Sequence, residues 1–175
     1  MSLKPQVSEY DHIEGKRNAP VELVEYGDCQ CPYCGEAYPL IKNIQKELSD
    51  RLKFIFRNFP LKKIHPDALK AAIASEAAGL QGKYWEMHDL LFENKKRLNP
   101  HSLLLYANEL NLKMDQFETD LGDPRVEKKV MDDFYSGLCS GINATPTFFI
   151  NAEKYNDDWR SKRFLEFLQI NAEVQ

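Results

Sequence analysis

The chain has 175 residues, of which 43% are hydrophobic, enough for one domain with a core of its own and too few for a multidomain assembly. Lys and Arg number 23 against 27 Asp and Glu, a net charge of −4 that argues against a nucleic-acid surface. The uncharged stretch that ends at Ala152 contains Asn, Ser, Thr and Pro146, which excludes a bilayer-crossing helix.

Met1-Ser2-Leu3-Lys4-Pro5 has no apolar export segment, so the chain as it stands reads as cytoplasmic, or as extracytoplasmic if a signal peptide has been removed. Val21 to Tyr26, a β-branched run between Pro20 and Gly27, predicts a buried central strand. From Pro32 to Leu48, Leu40, Ile41, Ile44 and Leu48 fall on one helical face, with Pro32 suited to the first turn and Pro39 expected to kink the helix. Leu52 to Phe59 reads as a second strand, parallel to the first across that helical crossover.

Pro66 to about Gly141 reads as helix throughout: Ala68–Leu80, Trp85–Glu93, Ser102–Leu110, Met114–Leu121 and Arg125–Leu138, punctuated by Gly82, Asn99-Pro100 and Asp123-Pro124. Strand character returns at Thr147–Ile150 and again near Lys154-Tyr155, and Ser161 opens a last amphipathic helix. The expected fold is α/β, a mixed sheet flanked by helices, with an all-helical insertion between a β-α-β and a β-β-α half. Residues 1–60 and 142–175 would form the sheet domain, and 61–141 the insertion, overhanging the sheet's active end.

Cys31-Pro32-Tyr33-Cys34 stands where the buried strand meets its helix. A helix N-terminus offers unpaired N–H groups and a positive dipole end, so a thiolate at Cys31 is stabilised there. Cys31 is therefore the candidate nucleophile, and Cys34, one turn on, the thiol that resolves a mixed disulfide. A C-x-x-C pair also supplies half a zinc site, but no second pair stands elsewhere in the chain. Glu25, six residues before Cys31 in the strand, would have a raised pKa if buried and could take the Cys34 proton, while a solvent-facing Glu25 would do nothing. Thr145-Pro146 precedes a strand, at a turn where a cis bond is tolerated. Tyr33, Phe148 and Phe149 are candidates for an apolar rim around Cys31, with one of Phe148 and Phe149 facing the core because they alternate. His88 and Trp85 share helical spacing with Leu91 and Phe92 and are read as packing residues, and His65 before Pro66 and His101 after Pro100 as helix-entry residues, with tuning of the thiolate as their alternative role.

Ala19-Pro20-Val21 through Gly27-Asp28, the Cys31–Cys34 motif, Thr145-Pro146-Thr147-Phe148-Phe149-Ile150-Asn151, Phe59-Pro60, His65-Pro66 and Trp85-Glu86-Met87-His88-Asp89 together resemble the DsbA-like branch of the thioredoxin superfamily. The resemblance runs from about Asp11 to Phe167 and implies a thioredoxin-like fold. It implies a thiol–disulfide oxidoreductase or isomerase acting through Cys31, with Cys34 resolving and Glu25 assisting proton transfer. Thr145 and Pro146, with Pro32 and Tyr33, would meet the substrate backbone. Protein or peptide thiols would be the substrates, a second redox protein would recycle the site, and no metal or organic cofactor would be needed. A monomer is expected. Two readings compete: a thioredoxin-fold sensor or adaptor whose cysteines report oxidation without turnover, and a glutathione-linked reductase suggested by the Pro-Tyr dipeptide. Cys29 and Ala144 depart from the family pattern, and Cys29 and Cys139 are expected to be small buried hydrophobes.

Overall fold

The structure, a computed structural model, describes residues 1–173. It contains a five-stranded sheet in the order β1-β3-β2-β4-β5, built from β1 (Ile13–Gly15), β2 (Val21–Gly27), β3 (Leu52–Asn58), β4 (Thr147–Ile150) and β5 (Glu153–Lys154). β2 runs parallel to β3 and antiparallel to β4, with Glu25 opposite Phe56 on one side and Phe148 on the other. The short edge strand β1 pairs antiparallel with β3 through Ile13 and Ile55. Three residues ending in a glycine leave too little periodicity for this strand to be read from sequence.

The alternation of the strands sorts their side chains into two layers. Val21 and Leu23 of β2, Leu52, Phe54 and Phe56 of β3, and Phe148 and Ile150 of β4 face one layer. Val24, Tyr26, Ile55 and Phe149 face the other. Both faces of the central strands are covered, which is why β2 and β3 read as nearly continuous apolar runs.

Helix α1 (Pro32–Leu48) starts at the residue predicted and runs unbroken through Pro39. Pro39 is exposed, on the side away from buried Ala37, Ile41 and Ile44, so its ring faces solvent. The five helices that follow are α2 (Ala68–Gly79), α3 (Tyr84–Glu93), α4 (Pro100–Glu109), α5 (Met114–Leu121) and α6 (Pro124–Cys139). The last helix is α7 (Lys162–Glu173). Asn99 caps α4 through Ser102 N, and Asp123 caps α6 through Arg125 N.

The helical segment does more than overhang the sheet. Its alanine-rich α2 joins the same core cluster as α1 and the strands through Ala71, Ala74 and Ala78. α6 lies on the opposite layer, where a Cβ on Gly137 would come 2.7 Å from the Phe59 ring and 3.1 Å from Tyr26. Close approach of helix and sheet is what requires glycine there.

The N-terminal segment is tied to this layer by Arg57. Buried in β3, its guanidinium donates to both Asp11 carboxylate oxygens at 2.8 and 3.0 Å, to the Tyr26 hydroxyl at 2.8 Å and to the Pro5 carbonyl at 3.0 Å. The side chains of Arg57 and Asp11 are 3% and 6% exposed, so this is a desolvated ion pair with nearly all its donors matched.

Candidate functional site

Cys31 occupies the cap position of α1, with extended backbone (φ −67°, ψ 126°) and Pro32 as the first helical residue. The chain turns there because Cys31 N–H bonds to the Asp28 carbonyl at 3.0 Å and Gly35 N–H to the Cys31 carbonyl at 3.1 Å. Asp28 holds the turn from inside: its carboxylate accepts from Gln30 N and Leu61 N and pairs with His65 Nδ1 at 2.8 Å. His65 therefore touches the Asp28 carboxylate, which braces the loop, and its expected action on the thiolate finds no direct contact. Asp67 N–H bonding to Gln30 Oε1 at 2.8 Å completes the clasp between the helical segment and the active-site loop.

Cys31 Sγ lies 3.6 Å from the Thr145 carbonyl, across the loop that enters β4. The Thr145-Pro146 bond is cis. Because β4 pairs with β2 from Tyr26–Thr147 onward, this loop is delivered to the same end of the sheet as the C-terminus of β2, beside the cysteines. Cys34 is fully buried, and its sulfur accepts from Asp28 N–H at 3.5 Å. Cys29, Cys31, Cys34 and Cys139 are all free thiols.

The two motif thiols are electrostatically unequal. The Cys31 pKa is lowered to about 5, chiefly by a hydrogen bond from Cys34, with further help from the Thr145 side chain and the N–H groups of Cys34 and Tyr33 in the first turn of α1. Burial pushes the Cys34 thiol up, as does its hydrogen bond to Cys31. Glu25 is 3% exposed, on the same sheet face as Leu23, and burial followed by the nearby Cys31 raises its pKa to about 8. Its solvent-facing alternative is thereby excluded.

Two expectations are corrected. Phe148 and Phe149 are both buried, one in each core layer, because both sheet faces are covered, so the apolar rim reduces to Tyr33, which is 54% exposed. Cys139 ends α6 on its exposed side and is no buried hydrophobe, whereas Cys29 is buried as expected. Burial raises the Cys29 thiol, first by desolvation and then through Asp28 and Glu25, which makes it a poor nucleophile. Sequence reading passed over Arg160, whose guanidinium sits 5.1 Å from the Tyr33 ring centroid and 4.6 Å from that of Trp159. Only the tertiary fold brings the segment before α7 to the motif, and a lone Arg carries no sequence signal for this. His88 is buried among Phe56, Trp85 and Phe92, as its spacing implied. Among the described residues no group of three His, Cys, Asp or Glu is arranged to hold a metal ion, and no helix is long and apolar enough to cross a membrane.

Comparison with known proteins agrees with this geometry. A family model described as "Thioredoxin" matches residues 7–169. The chain is similar to BdbD from Bacillus subtilis in its oxidised form, with a TM-score of 0.85 and 25% identity, covering 98% of both chains. It is similar to alpha-DsbA1 from Wolbachia pipientis, with a TM-score of 0.80 and 26% identity over 95% of this chain and 92% of that one. In sequence it is 41% identical over 157 residues to the Na(+)/H(+) antiporter NhaA 1 of Salinispora arenicola, a match that takes in 90% of this chain and 24% of that protein. The chain thus spans about a quarter of the length of the curated relatives it matches. The chain belongs to the thioredoxin family, with the DsbA-like fold of its thiol–disulfide oxidoreductases.

Proposed function

We propose that the protein exchanges disulfides with protein or peptide substrates through Cys31, with Cys34 as resolving thiol and Glu25 as the group that gives and takes the Cys34 proton, and that it works as an oxidant. The observation that carries this reading is the contrast between a Cys31 thiol lowered to about 5 and a buried Cys34 thiol pushed up. At neutral pH the reduced site is a thiolate held by its neighbours, and those contacts vanish when the disulfide forms. A stabilised reduced form makes the disulfide eager to take electrons.

In the oxidising direction a substrate thiolate attacks Sγ of Cys31 in the Cys31–Cys34 disulfide, and Cys34 leaves as a thiolate that takes a proton from Glu25. A second substrate thiolate then attacks the substrate sulfur of the mixed disulfide, and Cys31 leaves as the stabilised thiolate. The substrate loses two electrons and gains a disulfide, and the enzyme becomes a dithiol. In the reverse direction Glu25 takes the Cys34 proton so that Cys34 can attack the mixed disulfide and expel the substrate. A second redox protein returns the dithiol to the disulfide, and the sulfurs carry the electrons without an organic cofactor or metal.

The Thr145 carbonyl and the cis Pro146 beside Cys31 offer a backbone edge to an extended substrate, and Pro32, Tyr33 and Arg160 border it with a stacking surface. An oxidising function belongs in an oxidising compartment, which supports a site of action outside the cytoplasm.

The test is the equilibrium of Cys31–Cys34 with glutathione, together with single-turnover exchange against a dithiol peptide. The expected potential lies nearer the roughly −120 mV of DsbA than the roughly −270 mV of thioredoxin. Cys31→Ser abolishes exchange, and Cys34→Ser accumulates a covalent mixed disulfide. Thiolate absorbance of the reduced protein titrates with a midpoint near 5. A midpoint near 9, the ordinary cysteine value, and a thioredoxin-like potential overturn the oxidant assignment.

A further inference from the structure

Behind Glu25 lies a small cavity of about 10 Å³, lined among others by Glu25 from β2, Tyr38, Lys42 and Gln45 from α1, and His88 from α3. That is about the space one water molecule needs. Two lining residues each present a buried polar atom with no hydrogen-bond partner among the described residues, Glu25 Oε1 and His88 Nε2. Both residues are 3% exposed. A buried carboxyl oxygen and a buried imidazole nitrogen left unpaired are each destabilising, and a bridging water relieves both. The rest of the wall, Ile41, Phe54 and Phe92, is apolar.

We infer that this cavity is a water site joining Glu25 to His88, and that His88 passes protons between Glu25 and the protein surface.

The imidazole is oriented for the task. His88 Nδ1 is 3.1 Å from Asp89 Oδ1, and a carboxylate there only accepts, so Nδ1 carries the hydrogen and Nε2 presents a lone pair toward the water. Asp89 in turn is paired with Lys42 Nζ at 2.8 Å, and Lys42 reaches Glu14 of β1 at 3.5 Å. Asp89 and Lys42 are each about one-third exposed, so the chain of contacts ends in solvent. Tyr38, the remaining titratable group on the cavity wall, donates its hydroxyl to Glu93 at 3.3 Å and is held protonated by burial and by Asp89. Burial lowers the His88 pKa and keeps the ring neutral at rest, leaving Nε2 able to accept.

When Cys34 has given its proton to Glu25, the water receives that proton from the carboxyl and hands its own to Nε2. Nδ1 releases its proton to Asp89 and so to bulk water. Glu25 is again a carboxylate, and His88 is neutral with its hydrogen on Nε2; the ring regains its resting tautomer when a proton taken up at Nδ1 from Asp89 drives the Nε2 proton inward, through the water, to Glu25. The reverse sequence recharges Glu25 in the oxidising direction. His88 touches neither sulfur and acts through Glu25, as a positioning and relay residue.

This inference rests on the reading of Glu25 as the proton acceptor, and the experiment separates the two. Single-turnover kinetics resolves two steps, attack of Cys31 on a substrate disulfide and release of substrate by Cys34, each followed as a function of pH in the full chain and in Glu25→Gln, His88→Gln, His88→Phe and Asp89→Asn. Glu25→Gln is expected to slow release by about 100-fold, the low end of what a positioned acid–base group contributes. The two His88 variants are expected to slow release by about tenfold, a part of that contribution, with the attack step unchanged and the dependence of release on pH flattened near neutrality. Asp89→Asn leaves the imidazole in its packing and removes the outer acceptor, and it is expected to slow release in the same sense. A crystal structure of the protein is expected to show an ordered water within hydrogen-bond distance of Glu25 Oε1 and His88 Nε2. Slow release in Glu25→Gln with normal release in His88→Gln and Asp89→Asn overturns the relay and leaves the Glu25 reading standing. Normal release in all variants overturns both. Equal slowing of attack and release in the His88 variants, or a dry cavity, shows a packing role only and overturns the relay.

Discussion

Glu25 shows how a single buried group ties chemistry to stability. Its carboxyl is raised from 4.5 to about 8 because burial removes the water that a carboxylate needs. The sign of the effect on stability follows directly. Below 4.5 the group is protonated in both states and the raised pKa has no effect on the pH dependence. Between 4.5 and 8 the unfolded chain loses the proton while the folded chain keeps it, so stability falls as pH rises through that window. At pH 7 the loss is at most about 3 kcal/mol. Glu25→Gln removes it, so the variant is expected to be more resistant to urea than the parent at pH 7 and equal to it near pH 4, even as it releases substrate slowly. A variant less stable than the parent at both pH values would show that the carboxyl is not strained by burial.

At the scale of elements, the contact of α6 with the sheet is the most sharply constrained. Alanine is a better helix former than glycine by about 1 kcal/mol, so Gly137→Ala would stabilise α6 in isolation. In the fold its methyl group meets the Phe59 ring at 2.7 Å, and overpacking costs typically about 1–3 kcal/mol. The expected outcome of Gly137→Ala is a net loss of about 1 kcal/mol in denaturant unfolding, with the Cys31 titration unchanged because α1 and the loop before β4 are not displaced. Helix α1 carries the opposite lesson. Its N-terminus supplies N–H groups to Cys31 and its interior supplies Tyr38 and Lys42 to the cavity behind Glu25, so one element serves both ends of the proton's path.

Across the whole molecule, Arg57 binds the N-terminal segment, β2 and β3 into one body. Removing one partner of a buried ion pair leaves an uncompensated charge, at a cost of about 3–5 kcal/mol. Asp11→Ala is therefore expected to lower stability by that amount while leaving the thiolate midpoint near 5, since Asp11 lies on the sheet face opposite Glu25. The pair also separates structure from catalysis: thermal unfolding moves, and single-turnover exchange at a temperature where the variant is folded does not.

Several features were legible in the sequence because their causes are local. The apolar runs of β2 and β3, the start of α1 at Pro32, the five helices between Pro66 and Gly141, and the pairing of a thiol motif with a helix N-terminus each follow from a few adjacent residues. β1 escaped because three residues against one strand edge leave no pattern, and the rim assigned to Phe148 and Phe149 failed because alternation says which side chains share a face without saying whether the other face is also covered. Whether Glu25 is buried, and so whether its proton is useful, depended on α1 and α3 closing over one face of β2. The meeting of Thr145 with Cys31, 114 residues apart, depended on the pairing of β4 with β2. The sequence by itself determined the elements other than β1 and set the candidate thiols at a helix start, since propensity, periodicity and helix-end electrostatics act within a turn or two of the chain. The tertiary structure alone decided the burial of Glu25 and the cavity behind it, since desolvation is the work of residues that only the folded chain brings together.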